Sequence, residues 1–120
     1  MIRLVGIPWG NAEPPKEANC LTLALYAQKI LWGREIRLDI PITWTAETLR
    51  DRSYEIETEI VRFAKRVDKP EVGDIGLIET CGFLHLITFV EVEKVLHTIL
   101  DSKSRISRYK GKGASIWRVF

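Results

Sequence analysis

The run Leu84-His85-Leu86-Ile87-Thr88-Phe89-Val90-Glu91-Val92 decides the fold. β-Branched and aromatic residues fill it, and neither Gly nor Pro interrupts it, so it reads as a strand. Strict alternation puts Leu84, Leu86 and Thr88 on one face and His85, Ile87 and Phe89 on the other. His85 thus shares a face with apolar residues, and that face is expected to pack against a helix carrying Cys20. Further strands are expected on either side: 74–80 before it, and 95–100, 105–109 and 115–119 after it. Pro70 to Gly73 forms a turn, and Glu93-Lys94 suits a hairpin connection. The product is an antiparallel sheet of about five strands.

The first half of the chain reads differently. Residues 6–16 hold three prolines and two glycines, which forbid a regular element. From Glu17 to Trp32 the apolar residues recur at helical spacing, with Leu23, Ala27, Ile30 and Leu31 on a buried stripe. Asn19 or Glu17 caps this helix, Cys20 falls in its first turn and Gly33 ends it. A second helix is expected from Ala46 to Phe63, with Thr45 as its cap and a charged outer face. Residues 63–67 suit either its last turn or a short strand. Helices first and sheet second is an α+β pattern, with N-terminal helices packed on a C-terminal sheet. Residues 1–120 make one domain.

Composition narrows the classes of function. Hydrophobic residues make up 46% and charged residues 28%, the balance of a soluble globular protein able to bury a core without disulfide or metal. Eighteen basic against sixteen acidic residues leave a net charge of +2, too even for a nucleic-acid footprint. The last quarter is locally basic (Lys94, Lys103, Arg105, Arg108, Lys110, Lys112, Arg118), which is first of all a solvated surface and secondarily a weak attraction to an anionic polymer. No run is long enough to cross a membrane. Met1-Ile2-Arg3-Leu4-Val5-Gly6 is too short in its apolar part for a signal peptide, so synthesis in the cytoplasm is expected. Cys20, Cys81, His85 and His97 match the count of a zinc site but not its close spacings, so neither metal nor cofactor is expected. Cys81 reads as a buried or half-buried thiol, and Asp74 as a turn residue.

The chemistry-bearing residues are one cysteine and the only two histidines, in the order Cys20, His85, His97. A thiol attacks as thiolate and needs a base within hydrogen-bond reach. A helix N-terminus favours the thiolate, and its first-turn N–H groups can donate to an oxyanion. A cysteine, then a histidine, then a polar third member is the order of papain-like hydrolases. A tight hairpin about Glu93-Lys94 places His97 nearer Val90 than His85. The two histidines become neighbours only through strand curvature or a bulge.

Five segments in order resemble the NlpC-type cell-wall peptidases, a papain-like family, and most of all their compact version encoded with tail-assembly genes of tailed phages. Gly6-Ile7-Pro8-Trp9 resembles the family's Gly-x-Pro-Tyr entry. Asn19-Cys20-Leu21-Thr22-Leu23 sits where the family has Asp-Cys-Ser-Gly and an apolar residue. Residues 70–75 resemble a Pro-x-x-Gly-Asp-Leu turn, His85-Leu86-Ile87-Thr88-Phe89 a His-Val-Gly-Ile-Tyr strand, and Val95-Leu96-His97-Thr98 an Ile-His-Ala strand. The resemblance implies Cys20 as nucleophile, His85 as base and His97 as its orienting partner. It places Trp9 where a tyrosine often helps hold the oxyanion, and Asn19 beside the cleft. It implies hydrolysis of amide bonds in peptidoglycan stem peptides, with a phage tail as carrier and other tail proteins as partners. Asn19, Leu21 and Thr22 depart from the pattern, which touches substrate preference first. Two other readings stand beside it: a tail-hub or tail-tip protein that keeps the fold without turnover, and a cellular papain-like amidase or toxin.

Overall fold

The structure, a computed structural model, describes residues 4–40, 43, 45, 48–80, 82–99, 102–110 and 113–120. Ala46, Cys81, Leu100 and Lys112 lie outside the described residues. Helix α1 spans Cys20–Trp32. A segmented helical stretch follows: α2, Leu49–Arg52; a 3-10 turn, Ser53–Glu55; α3, Ile56–Glu59; and a second 3-10 turn, Ile60–Arg62. Strands β1 Ala64–Val67, β2 Ile75–Thr80, β3 Phe83–Glu91, β4 Lys94–His97, β5 Arg105–Arg108 and β6 Ala114–Val119 complete the domain. No helix among the described residues is long and apolar enough to cross a membrane.

The ends of α1 follow from local chemistry. Asn19 has extended backbone, and its Oδ1 accepts the Thr22 N–H at 2.8 Å while Thr22 Oγ1 accepts the Asn19 N–H at 2.9 Å. This reciprocal pair satisfies two of the amides that a helix start leaves unbonded. At the other end Gly33 turns into the left-handed region at φ 67°, where a Cβ would be strained. Thr45 and Thr48 exchange the same kind of pair ahead of α2, each backbone N–H donating to the other's hydroxyl.

The sheet has six strands rather than about five, all antiparallel, in the order β1-β6-β2-β3-β4-β5. The extra strand is residues 64–67, the stretch that suited either helix or strand; it pairs with β6 along the edge. β6 therefore lies between β1 and β2. A buried carboxylate ties it to the turn before β2. Asp74, 1% exposed, accepts from Arg118 Nε and Nη2 at 3.0 Å each and from the Glu71 N–H at 2.8 Å.

Which face of the sheet meets α1 is set by where the larger aliphatic side chains line up. Ile75, Leu77, Leu84 and Leu86 form one core with Cys20, Leu21, Ala24, Ile56 and Ile60. Leu96 packs with Ile7, Ala18, Leu23 and Ala27 beside it. The opposite face carries Ile87, Phe89, Val95 and Ile116. The register of β2 with β3, Leu77 opposite Leu86 and Ile78 opposite His85, puts His85 on this second face. The expectation that His85 faces α1 is thus corrected. Alternation was read rightly, but the Leu84–Leu86–Thr88 side offers the wider aliphatic surface and α1 covers that one.

The second face is packed closely at its centre. A Cβ at Gly76 would fall 2.6 Å from Ile87 Cγ1 and 3.3 Å from Phe89 Cε2. Gly76→Val forces those side chains off their rotamers, and overpacking of this kind costs about 1–3 kcal/mol. The expected outcome is a lower urea midpoint with an unchanged slope; an unchanged midpoint would show that this face has slack.

Candidate active site

His85 and His97 meet. Their rings are T-shaped with centroids 5.4 Å apart, and His85 Nε2 lies 3.2 Å from His97 Nδ1. The cause is a bulge. β3 and β4 pair Glu91 with Lys94, but the register then shifts, so that Phe89 opposes Val95 and Thr88 opposes Leu96. Continued one step, this register brings His97 level with Ile87, a diagonal step from His85 on the same face. Without the extra residue at Val90, the register of Glu91 with Lys94 would set His97 opposite Thr88, on the face turned to α1.

A third polar group completes the chain. His97 Nε2 lies 2.8 Å from Ser107 Oγ on β5. The pairing of Val95 with Ser107 puts that hydroxyl on the histidine face. Ser107 had been passed over in the sequence. The available signal was alternation along 105–109 combined with the position of His97, and it required the β4–β5 register.

The electrostatics keep both rings neutral. Burial, and then the charge of His97, lower His85 to about 4. Burial, and then the charge of Arg105, lower His97. The far nitrogen of the first ring, His85 Nδ1, is buried and has no hydrogen-bond partner among the described residues.

Cys20 stands apart from this chain. It is the first residue of α1 and only 3% exposed. Burial pushes its thiol up to about 11, against the backbone amides of Leu86, Leu21 and Cys20 itself, which favour the thiolate. The expected activation at the helix N-terminus is therefore outweighed by desolvation. The sulfur meets the amide of Leu86, the residue that follows His85, and makes no hydrogen bond to the His85 ring. Of the three expected catalytic residues the structure joins two and leaves the third next to their strand.

The two flanking candidates differ. The Trp9 backbone pairs with Ala18 in a parallel bridge, two residues before Cys20, so Trp9 borders the start of α1. Asn19 does not line a cleft, which corrects that expectation. It is fully buried, its Oδ1 caps α1 and its Nδ2 donates to Asn11 Oδ1 at 3.0 Å. A groove of about 340 Å³ opens on the histidine face, lined by Phe83, His85, Ile87, His97, Ser107, Arg108 and Tyr109 among others, and Cys20 is not part of its lining. A wider depression of about 530 Å³ lies along the outer side of α1, between Pro14, Tyr26, Lys29 and Arg37, away from either histidine. Among the described residues no group of three or more His, Cys, Asp or Glu is arranged to hold a metal. No protein-family model matches the chain, and the search of curated proteins finds no match.

Two pH dependences follow. His85 binds its proton less readily folded than unfolded, so stability present above its ordinary value of 6.5 is lost as pH falls toward about 4. The full difference is about 3 kcal/mol, and His97 adds in the same direction. For Cys20 the folded chain holds its proton longer, so stability declines as pH rises past the ordinary thiol range toward about 11. Urea midpoints from pH 4 to 10 should peak between these limits, and His85→Phe should flatten the acid limb. With a thiol at about 11, the thiolate fraction at pH 7 is on the order of 10⁻⁴. Iodoacetamide labelling of Cys20 should then be slow at pH 7 and rise about tenfold per pH unit. Rapid labelling at pH 7 would contradict the burial.

Proposed function

We propose that the chain is a cysteine amide hydrolase with a papain-like arrangement, acting on peptidoglycan stem peptides and carried to the wall by a phage tail. The observation that supports this reading best is the His85–His97 contact at 3.2 Å, with Nδ1 of His85 buried, unpartnered and next in the chain to the amide that meets the Cys20 sulfur. A buried imidazole nitrogen with no partner is costly. A base waiting for a thiol proton gives that lone pair a use. The Leu86 amide donates to the sulfur, which leaves the thiol hydrogen uncommitted to that bond.

In the proposed reaction the resting pair is neutral. Cys20 packs on the α1 face of β3 and His85 lies on the other, so the reaction requires a movement of the head of α1 that brings Sγ past the strand to His85. The Sγ–H proton passes to Nδ1 as the sulfur attacks the amide carbonyl and a C–S bond forms. The Cys20 N–H at the head of α1, with Trp9 beside it, faces the oxyanion. Collapse breaks the C–N bond, and the leaving amine takes the proton from His85 Nδ1. Water then gives a proton to Nδ1 and attacks the thioester, and that proton returns to the departing sulfur. His97 accepts the His85 Nε2–H throughout, holding the ring in place.

The test is release of product from purified stem peptides whose scissile bond joins D-glutamate to a diamino acid. Cys20→Ala and His85→Ala should each lower the rate by at least about 10²-fold, the lower end of what a positioned acid–base group contributes. A Cys20→Ala protein as fast as the wild type would overturn the reading. The burial of Cys20 and its raised thiol favour a second reading, a structural tail component that keeps the fold without turnover. A wild-type chain that enters tails and hydrolyses nothing would support that one.

A further inference from the structure

We propose that Ser107 is a positioning residue that sets the tautomers of both histidines, through the chain Ser107 Oγ, His97 Nε2, His97 Nδ1, His85 Nε2. The two hydrogen bonds, 2.8 Å and 3.2 Å long, link three groups on three neighbouring strands. In a neutral imidazole one nitrogen donates and the other accepts, so the bonds allow two proton arrangements for the whole chain. In the first, Ser107 donates to His97 Nε2, His97 Nδ1–H donates to His85 Nε2, and the His85 proton is forced onto Nδ1. In the second, His85 Nε2–H donates to His97 Nδ1, His97 Nε2–H donates to Ser107 Oγ, and His85 Nδ1 keeps a lone pair.

The burial of His85 Nδ1 decides between them. That atom has no partner among the described residues. The first arrangement buries an unpaired N–H donor, and the second an unpaired acceptor. Orphaned buried N–H groups are rarer than under-satisfied acceptors. The second arrangement is therefore the stable one, and it needs an acceptor at the far end. Ser107, half-buried, provides it and can turn its own hydrogen toward solvent. Arg105, the strand partner of His97, has no acceptor to offer and opposes a second positive charge there. On the hydrolase reading, on which this consequence rests, the same arrangement leaves His85 Nδ1 free to take the Cys20 proton.

Long-range ¹H–¹⁵N spectra of the histidine rings between pH 7 and 8 read the tautomers without any activity. The expected result is Nε2–H on both rings of the wild type. Ser107→Ala, shown folded by circular dichroism, should move a substantial fraction of both rings to Nδ1–H, and Ser107→Thr should restore the wild-type pattern. In the stem-peptide assay Ser107→Ala should lower kcat about tenfold with KM unchanged, for loss of one hydrogen bond of about 1.4 kcal/mol. Wild-type rings carrying Nδ1–H, or Ser107→Ala rings identical to wild type, would overturn the proposal. Nε2–H rings that shift in Ser107→Ala, in a protein that hydrolyses nothing, would support the role of Ser107 and overturn the hydrolase reading instead.

Discussion

The register of β3 is the constraint on which the rest of the structure depends. A strand shows its two sets of side chains to two different neighbours, and a slip of one residue exchanges them. With Leu77 opposite Leu86, α1 receives a continuous aliphatic surface and both histidines turn to the far side. The bulge at Val90 acts within that frame. It shifts β4 by one residue along β3 and so exchanges its faces, which puts His97 on the face of His85 and turns Leu96 to the helix. Helix packing and the histidine pair are thus fixed by one pairing scheme.

Cys20 shows two physical effects in competition at one atom. The head of α1, with amides of Leu86, Leu21 and Cys20 about the sulfur, favours negative charge. Removal from water opposes it, and at 3% exposure the second effect is larger. The resting thiol is therefore protonated and chemically quiet. The imidazole chain is assembled in advance, while the sulfur lies buried on the other face of β3.

How much of this could be read from the residues varies with how local each determinant is. Asn19, Gly33 and Thr45 act on neighbours within a few positions, and their roles as caps and stop were legible. The strand at 83–91 was legible from its composition alone. The face turned to α1 was not, because alternation defines two faces without saying which one another element covers. The segment 64–67 was ambiguous because its strand character comes from pairing with residues some fifty positions later. Ser107 was missed for the same reason: a serine on a charged edge strand acquires meaning only when a register places it against His97. Asn19 was expected in the cleft because the family it resembles has an aspartate there, but its side chain is committed to Thr22 and Asn11.

The place of β6 bears on how the domain is made. Its residues fill a central slot, paired with β1 on one side and β2 on the other. Until that segment leaves the ribosome, β1 has no sheet to join, and β2 shows an open edge to whatever is nearby. Closure joins segments far apart in sequence, which slows folding and lengthens the time during which an edge is open. Asp74 sits at the same closure. Its carboxylate, already held by the Glu71 amide, gives the incoming Arg118 a fixed point to grasp. A carboxylate that looks like a detail of one turn thus ties β6 to the turn before β2.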